Sequence, residues 1–84
     1  MISGWIEDNH TLCKTYTFGS FEEAIRWMQE AAVKITLLNH HPEWTNVYNK
    51  VVVRLTTHDA GNRITEKDIL LAELLDACYE NRNS

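Results

Sequence analysis

Residues 20–44 read SFEEAIRWMQEAAVKITLLNHHPEW, a capped amphipathic run that stops at the only proline of the chain. Ser20 is a good N-cap, and Glu23 three residues later predicts a capping box. Phe21, Ala24, Ile25, Met28, Ala32 and Ile35 recur at three- and four-residue spacing, which predicts one apolar stripe. A helix is therefore expected over 20–38. Asn39 and His40-His41-Pro42 end it, because Pro42 fixes its own φ and pushes His41 out of the helical region.

Strands are expected on both sides. Upstream, 5–7 predicts a short strand and Asp8-Asn9-His10 a polar turn. Residues 12–18 alternate with period two and are rich in β-formers, so they predict a strand that pairs with the first as a hairpin. Downstream, 44–48 predicts a short strand. Residues 50–57 predict a stronger one, with Val51, Val53 and Leu55 on one face and Val52, Arg54 and Thr56 on the other. Residues 60–63 form a turn. Thr65 then caps a second helix to about Glu80, with Asp68 in its first turn favoured by the helix dipole. The order β-β-α-β-β-α fits an antiparallel sheet with helices on one face, an α+β fold.

At 84 residues the chain is one domain, 1–84, with no room for a second core. Net charge is −4 and no Lys/Arg-rich run occurs, which argues against direct contact with a phosphate backbone. Cys13 and Cys78 have neither metal-type spacing nor a cysteine-dense framework, and read as free thiols in a reducing compartment. No apolar run approaches the roughly 20 residues of a membrane span. Residues 1–5 lack the regions of a signal peptide, so a cytosolic protein is expected. In the second helix, Ile69, Leu70, Leu71, Ala72, Leu74, Leu75, Cys78 and Tyr79 cover more than one stripe. One side is expected on the sheet and another on a second subunit, since so short a chain gains from association.

Three of the four histidines, His40, His41 and His58, fall in one stretch. Histidine is the side chain whose unperturbed pKa, about 6.5, suits proton transfer near neutrality. Adjacent histidines chelate one metal poorly, because they point to opposite faces of a strand and diverge by about 100° on a helix. No His-x-x-x-His spacing supports a zinc site. A single histidine at a helix end would be read as a dipole partner. A pair before Pro42, with His58 where a strand meets a loop, reads better as acid/base chemistry. If the last two strands pair, their outer ends bring His41 and His58 together. No nucleophile elbow or dinucleotide fingerprint is present, and with three glycines a phosphate-cradling loop is not expected. No cofactor is implied. Trp44 offers a flat apolar wall for a ring-shaped ligand, whereas Tyr48 is expected in the core.

The run from Asn39 to Val51, then Leu55-Thr-Thr-His-Asp59, Ile64-Thr-Glu-Lys-Asp-Ile69 and Leu71-Ala72, resembles the pterin-4a-carbinolamine dehydratase family, also known as the dimerisation cofactor of a homeodomain transcription factor. The similarity extends from Gly4-Trp5 to the last helix. It implies a four-stranded antiparallel sheet with helices packed on one face, and a homodimer or homotetramer. It implies a hydro-lyase that dehydrates 4a-hydroxytetrahydropterin to quinonoid dihydropterin in tetrahydrobiopterin recycling. By the same match, His40 and His58 are the proton-transfer pair. His41, Pro42, Trp44, Thr57 and Asp59 contact or border the pterin. No metal is implied. The compartment would be the cytoplasm, with the nucleus as the other one the resemblance admits.

The chain departs from the family pattern in places. The family's usual N-terminal helix is not in this sequence, in which Trp5 is the fifth residue, and is expected to be either absent or removed. Thr36 and Asn39 stand where acidic residues are common, which removes negative charge near the site. The turn through Gly61-Asn62-Arg63 reads one residue longer than usual. A second function class remains open beside the enzyme: a binding module that stabilises a partner's dimer through its helical face.

Overall fold

The computed structural model describes residues 4–82. The signal-peptide reading of residues 1–3 lies outside them. Two strands, β1 (Ile6–Asp8) and β2 (Thr11–Thr17), precede helix α1 (Phe21–Leu38). Strands β3 (Glu43–Val47) and β4 (Lys50–Leu55) follow, and helix α2 (Glu66–Glu80) closes the order. This is the expected β-β-α-β-β-α sequence with boundaries moved by one or two residues. The strands form one antiparallel sheet in the order β1-β2-β4-β3, so β2 pairs with β4 across α1.

Register explains the core. Leu12 faces Leu55, Tyr16 faces Val51 and Trp44 faces Val53, so alternate residues line one face. Both helices pack there through Ala24, Trp27, Ala31 and Ile35 of α1 and Leu71, Ala72, Leu75 and Cys78 of α2. Lys14 also points inward, and α2 answers it. Asp76 accepts from Lys14 Nζ at 2.7 Å, Tyr16 Oη at 2.5 Å and Trp5 Nε1 at 3.1 Å. An inward lysine is tolerated because its charge is neutralised where it is buried.

Three expectations need correction. The stripe of α1 is rotated: Trp27 and Ala31 are core, while Phe21 and Ala32 are exposed. Trp27 is drawn in by an aromatic group, with ring centres 4.6 Å from Tyr16, 5.4 Å from Phe18 and 6.0 Å from Trp44. Second, Ser20 does cap Glu23 N, but the Glu23 carboxylate accepts from Gly19 N rather than from the cap's own amide. Third, Tyr48 is not core. It occupies the β3–β4 turn at φ 54° and is exposed. No described helix is long and apolar enough to cross a membrane.

Candidate functional site

Two loops meet at the β3-start, β4-end edge of the sheet. On one side α1 stops at Asn39, which adopts the left-handed region at φ 58° and donates its amide to the carbonyls of Ile35 and Thr36. Asparagine tolerates that region better than most side chains. This local demand accounts for Asn39 without any charge at the site. Thr36 spends its hydroxyl on the Ala32 carbonyl of its own helix. Pro42 then keeps His40 and His41 off the helix.

His40 is half-buried, and its Nε2 lies 2.7 Å from Asp68 Oδ1. Asp68 is fully buried at the start of α2. Its Oδ2 accepts from the Thr65 amide at 2.9 Å and the Thr57 hydroxyl at 2.7 Å. Thr57 and Thr65 hydroxyls are 2.7 Å apart. Proton order follows from donor inventory. Thr57 gives its only hydroxyl proton to Asp68, so Thr65 donates to Thr57. A carboxylate only accepts, so His40 carries its proton on Nε2, and its Nδ1 has no partner among the described residues. Asp68 thus completes the capping box of α2 and orients His40 with the same two oxygens.

On the other side β4 runs out into Thr56 and Thr57, then a short turn of 3-10 type at His58–Ala60. His58 is exposed, and its Nδ1 lies 2.8 Å from Asn62 Oδ1. A cleft of about 290 Å³ lies between the loops. Asn39, His40 and His41 form one wall and Thr57, His58 and Asp59 the other, with Lys67 at the edge. Pro42 and Trp44 do not line it. Trp44 is half-buried against Trp27, and Pro42 acts on the cleft through the backbone of His41. Thr57 is buried with both roles of its hydroxyl already used, so it serves the site through Asp68.

The arrangement holds the His40 and His58 imidazoles at one cleft, each with one ring nitrogen engaged by the protein and the other without a partner among the described residues. That is what an acid/base pair requires. Among the described residues no group of three or more His, Cys, Asp or Glu side chains converges as a metal-ligand set. Asp68, Asn62 and Lys67 are site residues that the histidine cluster does not announce. In the sequence Asp68 reads as a first-turn acid favoured by the helix dipole and as part of the run Ile64–Ile69 that resembles the family, with no link to His40.

The family model for pterin 4 alpha carbinolamine dehydratase matches residues 1–78. A relative from Opitutus terrae is 55% identical over 71 residues, covering 84% of this chain and 73% of its own length. One from Rhizobium meliloti is 47% identical over 83 residues, covering 96% and 79%. Both carry the provisional name pterin-4-alpha-carbinolamine dehydratase. The crystal structure of a transcriptional coactivator/pterin dehydratase from Brucella melitensis superposes with a TM-score of 0.85 at 37% identity, over 92% of this chain and 83% of that one. A pterin dehydratase-like RuBisCO assembly factor of the alpha-carboxysome shares the fold, with a TM-score of 0.73 at 18% identity over 89% and 86%. By matched length and identity, this chain belongs to the pterin 4 alpha carbinolamine dehydratase family.

Proposed function

We propose that this protein dehydrates 4a-hydroxytetrahydropterin to quinonoid dihydropterin, by histidine acid/base catalysis and without metal or nucleotide. The observation that carries the reading is the placement of His40 and His58 across one cleft with one free ring nitrogen each. Family membership supplies the substrate class. In the reaction, the imidazolium of one histidine protonates the 4a-hydroxyl. The carbon–oxygen bond breaks and water leaves. The lone pair of the adjacent ring nitrogen forms the new C=N bond, and the other histidine takes the proton from that nitrogen. One proton is delivered and one removed, so the products are the dihydropterin and water. Each well-placed acid or base contributes roughly 10²- to 10⁴-fold. His41 and Asp59 hold the ring, and Pro42, Trp44 and Thr57 fix the walls that carry them. The step belongs to pterin recycling after aromatic amino acid hydroxylation, in the cytoplasm.

The test is a pterin-dependent hydroxylase assay with and without the protein, and with its His40→Ala and His58→Ala variants. Each substitution should lower turnover far more than it weakens binding of a pterin analogue. Dialysis against a strong chelator should leave the rate unchanged. Near-native turnover in both variants, on both stereoisomers of the substrate, would remove the acid/base assignment.

A second reading, a module that binds its own copy or a partner protein, is favoured by one observation. Val33, Leu37, Ile69 and Leu70 are exposed on the helices, Leu37 to 82%. The Brucella structure is named as a coactivator as well as a dehydratase. Light scattering at micromolar concentration should give at least twice the 9.8 kDa chain mass. A monomer would count against this reading and leave the dehydratase untouched.

A further inference from the structure

The loop after His58 carries a residue whose backbone and side chain ask for different things. Gly61 at φ 79° and Asn62 at φ 60° are consecutive left-handed residues. They turn the chain back until Thr57 and Arg63 pair as an antiparallel bridge. The turn is tied by Gly61 N to His58 O at 3.0 Å, Asn62 N to Thr57 O at 3.1 Å and Thr57 N to Arg63 O at 2.8 Å. Conformation alone would favour glycine at 62. Asparagine tolerates the same φ and adds an amide, and that amide meets His58 Nδ1 at 2.8 Å.

We propose that Asn62 is a positioning residue for His58. Its amide oxygen holds the ring proton on Nδ1 and leaves Nε2 as the nitrogen that exchanges protons with a ligand in the cleft. Asp68 does the converse for His40, whose unshared nitrogen is Nδ1. The two rings are therefore tied through opposite nitrogens, Nε2 of His40 and Nδ1 of His58. An amide oxygen suits the task because Nδ1 carries hydrogen in both the imidazolium and this neutral tautomer. The bond persists when Nε2 gains or loses its proton, so the ring keeps its orientation through a cycle. The amide adds no charge. The catalytic use of this placement rests on the proposed acid/base role of His58; the placement itself does not.

The two parts are separable by experiment. Nitrogen-15 spectra of the labelled imidazole, recorded where His58 is neutral, report which nitrogen carries the proton. The native protein should show His58 protonated on Nδ1. Asn62→Gly keeps the backbone conformation and removes the amide, so Nε2–H rings should become the larger fraction. Asn62→Asp keeps an acceptor and should restore Nδ1–H. In the dehydratase assay Asn62→Gly should lose turnover roughly five- to tenfold, following the fraction of rings left in the useful tautomer, with KM little changed. Asn62→Asp should recover most of it. A native His58 protonated on Nε2, or a tautomer unmoved by Asn62→Gly, would overturn the proposal. A tautomer that moves while turnover does not would instead overturn the catalytic role of His58 and keep the placement by Asn62.

Discussion

Asp68 satisfies three donors with two oxygens and is fully buried. Asp68→Asn turns one acceptor oxygen into a donor. One oxygen remains for the Thr57 hydroxyl and the Thr65 amide, so the new NH₂ faces His40. Two donors cannot meet, and His40 must move its proton to Nδ1 and accept with Nε2. The fold should lose only about 1 kcal/mol by urea unfolding. Turnover should fall by roughly 10²- to 10⁴-fold, the contribution of one well-placed acid or base. Asp68→Ala strands all three donors and should cost about 3 kcal/mol or more. Equal turnover in native and Asp68→Asn protein would show that the His40 tautomer is irrelevant. The histidines were legible in the sequence because adjacent pairs before a proline are rare. Asp68 was not, because the hydrogen bond that matters joins residues 28 positions apart, while its capping role is visible three residues away. Asn62 reads in the sequence only as part of a longer turn, since a left-handed φ leaves little mark on composition.

Helix α1 shows where periodicity stops being decisive. The stripes through Met28 and through Trp27 share Ala24 and Ile35, so spacing alone could not choose between them. Tyr16, Phe18 and Trp44 choose, by surrounding the Trp27 indole with aromatic rings. Ala24 and Ala31 are fully buried and let the helix approach the sheet. Trp27→Ala should therefore cost about 3–5 kcal/mol in urea unfolding. Phe21→Ala, at a side chain 46% exposed, should cost less than about 1 kcal/mol. The reverse order would place Phe21 in the core and return the stripe to the spacing-based face. Strands were easier to read. Val51, Val53 and Leu55 face inward as alternation required, because a two-residue period admits only two faces.

Across the molecule, two buried acids set the response to alkali. Burial pushes the Tyr16 phenol far up, and the Asp76 carboxylate that accepts its proton pushes it further. Burial also raises the Cys78 thiol. Both groups keep protons in the folded chain that the unfolded chain releases. Their share of stability is whole below the ordinary thiol value of 9.0 and falls as pH rises through it and past the phenol's 10.0. Urea midpoints should hold level near neutrality and decline above about pH 9, and Tyr16→Phe should flatten the upper part of the decline. A decline unchanged by Tyr16→Phe would mean that the phenol ionises in the folded chain as it does in water. The sheet order also matters at this scale. Element order was readable from the chain, but the β2–β4 pairing across α1 rests on contacts between distant residues. The bond from Trp5 to Asp76 places the beginning of the described chain beside its last helix. Covalent order is then partly arbitrary. A circular permutant that links Gly4 to Arg82 through a glycine-rich linker and opens the exposed Asn9–His10 turn would make β1 the last element instead of the first. It should fold to the same sheet and keep both walls of the cleft, as near-ultraviolet circular dichroism and a single cooperative melt would show. A permutant without fixed tertiary structure would mean that the β1–β2 hairpin must form locally before the rest can assemble, and that the direction in which the chain is threaded is part of what the sequence encodes.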